Sequence, residues 1–182
     1  MTCYEDGVNA PGAIMWKGKI KAGQVHDALV TNVDIVPTIL ELAGIDQPED
    51  YKMDGKSWVG LLNGTKSSIH ESLYLEVVYK RAVVTKNWKY IAVRFPDKVN
   101  EIITPENRME FTIEGKRGED RYHNETKFPG YYDDNQLYYL VDDKGEQNNL
   151  AIDPKYADML DEMKLIMKEY SKNLPYAFVE FK

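Results

Sequence analysis

The feature that most constrains the fold is a set of short β-branched and aromatic runs at residues 73–78, 81–85 and 88–93, parted by two-residue breaks at Tyr79-Lys80 and Lys86-Asn87. Breaks of that length leave room for hairpin turns and little else. Parallel neighbours need a crossover of a dozen residues or more, so these runs can pair only antiparallel. A fourth run, 136–141, stops at Asp142-Asp143-Lys144-Gly145 and completes an expected four-stranded antiparallel sheet.

A sheet must bury at least one face against another element. The cover comes from residues 154–174. Pro154 after Asp153 marks a helix start. Tyr156, Leu160, Met163, Met167, Tyr170 and Leu174 then recur at steps of four and three, forming one apolar stripe. Met159, Met163 and Met167 read as core filler. Residues 178–182 are an aromatic and charged end that either docks or frays.

The first third of the chain reads differently. Residues 31–44 predict a helix, with Asp34 as N-cap, Pro37 in the first turn and Gly44 as the stop. Val33, Val36, Leu40 and Ala43 recur on one face. Residues 12–16 are apolar throughout, as in a strand of a buried parallel sheet. Partners for such a strand are scarce in the rest of the chain, so part of a sheet is expected to lie outside it. Exposed apolar surface and open edges would then favour self-association. The expected class is an α/β fragment, the last strand and helix of a larger sheet, at 1–69. An α+β subdomain follows at 70–182, with a four-stranded antiparallel sheet, a C-terminal helix and a long charged loop at 95–134. A loop of that length is usually functional or disordered; a weak helical turn is expected after Thr104-Pro105-Glu106.

Composition narrows the function classes. The chain has 182 residues, 29% of them charged, with a net charge of -7. That acidity argues against nucleic acid as the main partner, because phosphate binding needs fields of Lys and Arg. No apolar run reaches the ~18–20 residues that span a bilayer. The single cysteine, Cys3, excludes an internal disulfide.

Several segments resemble the sulfatase family. Thr2, Tyr4, Glu5, Gly7 and Pro11 fall where that family has Lys-Gly-Thr-x-Tyr-Glu-Gly-Gly-x-Arg-x-Pro, and Trp16, Gly18 and Ile20 follow its Trp-Pro-Gly-x-Ile. Residues 33–45 resemble its Val-Asp-Leu-x-Pro-Thr-Leu-Leu-x-Leu-Ala-Gly, and Asp54-Gly55-Lys56-Ser57 with Leu61-Leu62 its Asp-Gly-x-Ser…Leu-Leu. Trp88-Lys89-Tyr90-Ile91 and residues 136–150 resemble Trp-Lys-Tyr-Ile and Leu-Tyr-Asp-Leu-x-x-Asp-Pro-x-Glu-x-x-Asn-Leu. Departures stand at Asp6, Asn9 and Lys17, where the pattern has Gly, Arg and Pro. The resemblance implies the C-terminal portion of an arylsulfatase-type protein of the alkaline phosphatase-like superfamily, missing an N-terminal sulfatase region. The family's catalytic Lys would sit one residue before Met1. A periplasmic or secreted location is also implied.

What the resemblance implies chemically is sulfate ester hydrolysis, with sulfated carbohydrate as the expected substrate of the parent. A formylglycine, made from Cys or Ser in Cys/Ser-x-Pro-x-Arg, attacks sulfur; a divalent metal, expected to be calcium, binds sulfate oxygens. Cys3 is followed by Tyr4-Glu5-Asp6-Gly7 and does not fit that motif. Asp133-Asp134 and Asp142-Asp143 abut strand ends and read as turn residues. No catalytic residue and no metal ligand is therefore assigned here, and the chain alone is expected to be inactive. Candidates for substrate contact are Tyr4, Glu5, His26, Arg108, Arg117, Arg121, Tyr122 and His123, with Lys116 beside them. Arg offers a planar fork for sulfate and Tyr can stack on a sugar ring. For Tyr4 and Glu5 the favoured reading is that they orient, by hydrogen bonds, the loop that carries the missing Lys. His70 reads as a surface residue. Two alternatives stay open: a related phosphodiesterase or phosphonate hydrolase, and a non-catalytic glycan-binding module.

Overall fold

The computed structural model describes residues 2–111, 124–176 and 178–181. They form two compact units, one of Pro11–Leu73 and one of Met1–Ala10 with Tyr74–Lys182. Residues up to Ala10 thus group with the sheet, whereas the sequence division at 69/70 sets them with the preceding part.

The sheet has the expected four strands, β1 (Ser72–Val77), β2 (Lys80–Thr85), β3 (Trp88–Val93) and β4 (Asn135–Tyr139), in the order β1-β2-β3-β4. β3 pairs antiparallel with both neighbours, Lys80 opposite Val93 on one side and Trp88 opposite Tyr139 on the other. The Lys86-Asn87 turn falls where expected, and Trp88 donates its N–H to Thr85 Oγ1 at 3.1 Å. The first hairpin turns one residue earlier than expected, at Val78-Tyr79. Val78 there takes φ 49°, an uncommon conformation for a β-branched residue.

Successive side chains on a strand point to opposite faces, and here both faces are buried. Val83, Tyr90, Ala92 and Leu137 meet Met163 and Met167 of the C-terminal helix, Ala157–Ser171. That helix is preceded by a 3-10 turn, Pro154–Tyr156, whose Lys155 N–H is capped by the Asp153 carboxylate at 3.0 Å. The tail docks on the same face, with Phe178 and Phe181 buried in its core. Arg94 ties the tail down through Glu180 at 2.5 Å, and Arg81 lies over the Phe178 ring at 4.6 Å. The opposite face is covered by Cys3 and Tyr4 together with Phe128 and Tyr131, which pack on Ala82, Ile91 and Tyr138. The 95–134 segment contains more helix than expected. Turns form at Asp97–Asn100, Arg108–Phe111 and Asn124–Lys127.

In the Pro11–Leu73 unit, Asn32–Asp34 is a 3-10 turn and Ile35–Ala43 an α-helix, stopped by Gly44 in the left-handed region at φ 68°. Asp34 stands at the N-cap of this helix as expected but makes no side-chain cap bond to it; its carboxylate accepts from Thr31 N–H, in a capping box at the 3-10 turn, and turns inward to three further groups. Two sequence expectations need correction. The face carrying Val33 and Val36 is exposed, while Asp34 and Thr38, one turn apart, are buried. Residues 12–16 form no strand. They pair with no strand among the described residues, Met15 is 90% exposed, and the chain turns as Lys19 and Ile20 donate to the Trp16 carbonyl. A strand exists only through ladder bonds to neighbours. No described helix is long and apolar enough to cross a membrane.

Candidate functional site

The N-terminal residues are held on the sheet by a buried polar cluster. The parity of β3 places Lys89 on the same face as Ile91, so its ammonium is carried inside. Lys89 is fully buried and faces two carboxylates, Glu5 Oε1 at 2.5 Å and Glu146 Oε1 at 3.0 Å. These are charge contacts rather than well-directed hydrogen bonds. The other Glu146 oxygen accepts the Glu5 backbone N–H at 2.6 Å, and the other Glu5 oxygen accepts from the Asn9 amide at 2.8 Å. Glu146 is itself fully buried, with φ 53°, in the left-handed region. Burial pushes its carboxyl above the usual carboxylate range, with Lys89 and the Glu5 N–H acting in the opposite sense.

Tyr4 extends the attachment. Its ring stacks on Phe128 with centroids 3.8 Å apart, and its hydroxyl donates to Gln136 Oε1 at 2.6 Å. Gln136 Oε1 also accepts from Tyr138 at 3.1 Å. The Lys80 ammonium sits 3.0 Å from the Tyr131 ring centroid, an arrangement in which the ring quadrupole stabilises a desolvated cation. Lys127 pairs with Asp6 at the rim. Burial raises the Cys3 thiol to about 11.

Of the substrate-contact candidates, Tyr4 and Glu5 come together in this cluster. Tyr4 is buried, while Glu5 keeps a partly exposed side chain. Arg108 lies over the Tyr132 ring at 3.8 Å. His26 is exposed in the other unit. Arg117, Arg121, Tyr122 and His123, with Lys116, lie outside the described residues. Sequence reasoning missed Lys89 and Glu146. The available signal was a Lys at an inward-facing position of a strand, and a Glu following the Asp142–Gly145 turn.

The Pro11–Leu73 unit has its own polar centre. Asp34 accepts from Thr31 N at 2.8 Å, Lys56 N at 2.7 Å and Trp58 Nε1 at 3.2 Å, and both oxygens lie 3.0 Å from His70 Nε2. His70 is therefore a partner of a buried carboxylate rather than a surface residue. Burial raises the Asp34 carboxyl, but these hydrogen bonds outweigh it and hold the group below its ordinary value. Thr38 Oγ1 accepts from Trp58 N at 2.9 Å. Gly55 lets the chains approach: a Cβ there would stand 2.1 Å from the Val33 carbonyl oxygen.

The described residues do not fit a catalytic metal or a formylglycine. Among the described residues, no three His, Cys, Asp or Glu side chains are arranged to hold an ion. Cys3 is buried and its flanking sequence differs from the modification motif. Asp133 accepts from Asn149 at 2.8 Å, and Asp143 from the Gln147 and Asn148 N–H groups, which are turn contacts.

Comparison with known proteins gives a consistent picture. Residues 1–107 match the family described as N-sulphoglucosamine sulphohydrolase, C-terminal. The chain is 29% identical over 173 residues to an ulvan-active sulfatase of Formosa agariphila, covering 89% of this chain and 32% of that protein. Over 72 residues it is 42% identical to the steryl-sulfatase of Homo sapiens, covering 39% of this chain and 12% of that protein. The fold is similar to a solved 2-O GAG sulfatase with a TM-score of 0.55 and 25% identity, over 85% of this chain and 28% of that one. The chain thus spans about a third, 32%, of the length of the Formosa relative.

Proposed function

This chain belongs to the C-terminal family of N-sulphoglucosamine sulphohydrolase and is the C-terminal portion of a sulfatase, and from that premise we propose that it completes an enzyme hydrolysing sulfate esters on sulfated carbohydrates. The single observation that carries this reading is the convergence of three family-like segments on one buried cluster: Glu5, Lys89 of Trp-Lys-Tyr-Ile, and Glu146 of the segment 136–150. These segments are far apart in sequence and share no local reason to meet.

In this reading the nucleophile, the divalent metal and its ligands, and the catalytic lysine come from residues outside the chain. The chain itself supplies support and part of the substrate wall. Arg108, backed by Tyr132, is proposed to meet a sulfate or carboxylate of the sugar, with Arg117, Arg121, Tyr122 and His123 contributing from the adjoining segment. A guanidinium held on an aromatic face is partly pre-ordered, which lowers the entropic cost of binding an anion. Tyr4 and Glu5, engaged by Gln136 and Lys89, are proposed to orient their segment rather than to touch substrate, and His26 is proposed as a contact made by its own unit.

The test compares this chain with a longer protein in which a sulfatase N-terminal region precedes it. Sulfate release is measured on ulvan, glycosaminoglycan fragments and an aryl sulfate. Turnover by the longer protein alone supports the reading, and Arg108→Ala should raise KM about 10-fold, as for loss of one charge-assisted contact. Turnover by this chain alone, unchanged in Cys3→Ala, would overturn the division of labour. Phosphodiester but not sulfate ester hydrolysis by the longer protein would overturn the reaction class.

A further inference from the structure

We infer that Lys89 is a positioning residue: together with Glu146 it clamps the N-terminal segment, residues 2–9, in one place on the sheet. Three observations carry this. First, the Lys89 ammonium is fully buried between a carboxylate of the segment and a carboxylate of the 146 turn. A buried charge is tolerated only where partners compensate it, so the pair of carboxylates fixes where Glu5 can be. Second, Glu146 bonds the Glu5 backbone N–H at 2.6 Å, which fixes the main chain as well as the side chain. Third, Glu146 reaches this position from a left-handed backbone, φ 53°. Such a conformation in a residue with a Cβ persists only where the surroundings determine it.

The segment's own bonds are few. Its helical turn, Glu5–Val8, is held by Gly7 N–H to the Tyr4 carbonyl at 2.9 Å and Asn9 N–H to the Glu5 carbonyl at 2.8 Å. A four-residue turn has little stability of its own. Its order must therefore come from attachment, and Lys89 is the charge at the centre of that attachment. What the clamp positions follows from the proposed function and rests on it: in a sulfatase, the catalytic lysine that precedes Thr2 in the family pattern.

Two arms separate the clamp from that reading. Amide hydrogen exchange in this chain needs no substrate. In Glu5→Gln and Lys89→Met, the Gly7 and Asn9 amides should lose protection about 10-fold or more, with β2 and β3 amides unchanged, as for opening of a local unit. Wild-type protection at both amides in folded Glu5→Gln overturns the clamp. That variant decides the matter if Lys89→Met does not fold, because Glu5 is partly exposed. In the longer sulfatase, Glu5→Gln should lower kcat about 10-fold with KM held, and Glu5→Asp should recover part of it. A fall in kcat and rise in KM together overturns the positioning role. No turnover by the unmutated longer protein overturns the proposed function, and the clamp is then judged on exchange alone.

Discussion

Single residues in this protein show how burial and chemistry trade off. Asp34 is an ionised group with no exposed surface, which is costly unless every lone pair is used. Here backbone N–H groups from two segments, an indole and an imidazole use them. Its carboxyl is held below the ordinary 3.8. A group depressed in the folded state adds stability above its unfolded value and loses it as pH falls through the folded one. The stability of the wild type to urea should therefore fall as pH drops below 3.8, whereas Asp34→Asn should show a flatter acid limb. At pH 6 the variant should be less stable by about 2 kcal/mol, the scale of hydrogen bonds to a charged acceptor. Parallel acid limbs in the two proteins would contradict this assignment.

At the scale of elements, the sheet and its helix were the most legible part of the chain. Hairpin-length breaks and a four-three apolar stripe are local signals, and both survive into the structure. Met167 of that stripe is fully buried against Tyr90 and Leu137. Met167→Ala should cost about 2–5 kcal/mol in thermal or denaturant unfolding, the range for truncation in a packed core. A cost below about 1 kcal/mol would mean that the helix does not seal this face. The second face was not legible. Its cover comes from Cys3, Tyr4, Phe128 and Tyr131, two short pieces from distant parts of the chain with no periodicity to announce them. The Ile35–Ala43 helix was legible as a helix but not in its facing, because its buried positions are polar. Only the distant partners of Asp34 and Thr38, at Lys56, Trp58 and His70, explain why they point inward. Residues 12–16 read as a strand by composition, and composition says nothing of where ladder partners are.

For the whole molecule, the candidate site was legible as family and not as geometry. Tyr4 and Glu5 stood out in the sequence, whereas Lys89 and Glu146 were hidden inside ordinary strand and turn text. The structure joins them into one attachment that spans the chain from its fifth residue to its 146th. The Pro11–Leu73 unit leaves Met15, Val25, Val36 and Ile39 exposed. Such surface is consistent with the proposal that a sulfatase N-terminal region accompanies this chain. The sole cysteine turns this architecture into an instrument. Cys3 is buried one residue from Tyr4, and its thiol is raised to about 11, so alkylation at neutral pH must wait for that residue to emerge. Because no second thiol competes, the rate of label uptake by the native protein clocks how often the N-terminal segment lifts off. Glu5→Gln should quicken that clock while leaving the unfolding midpoint nearly in place.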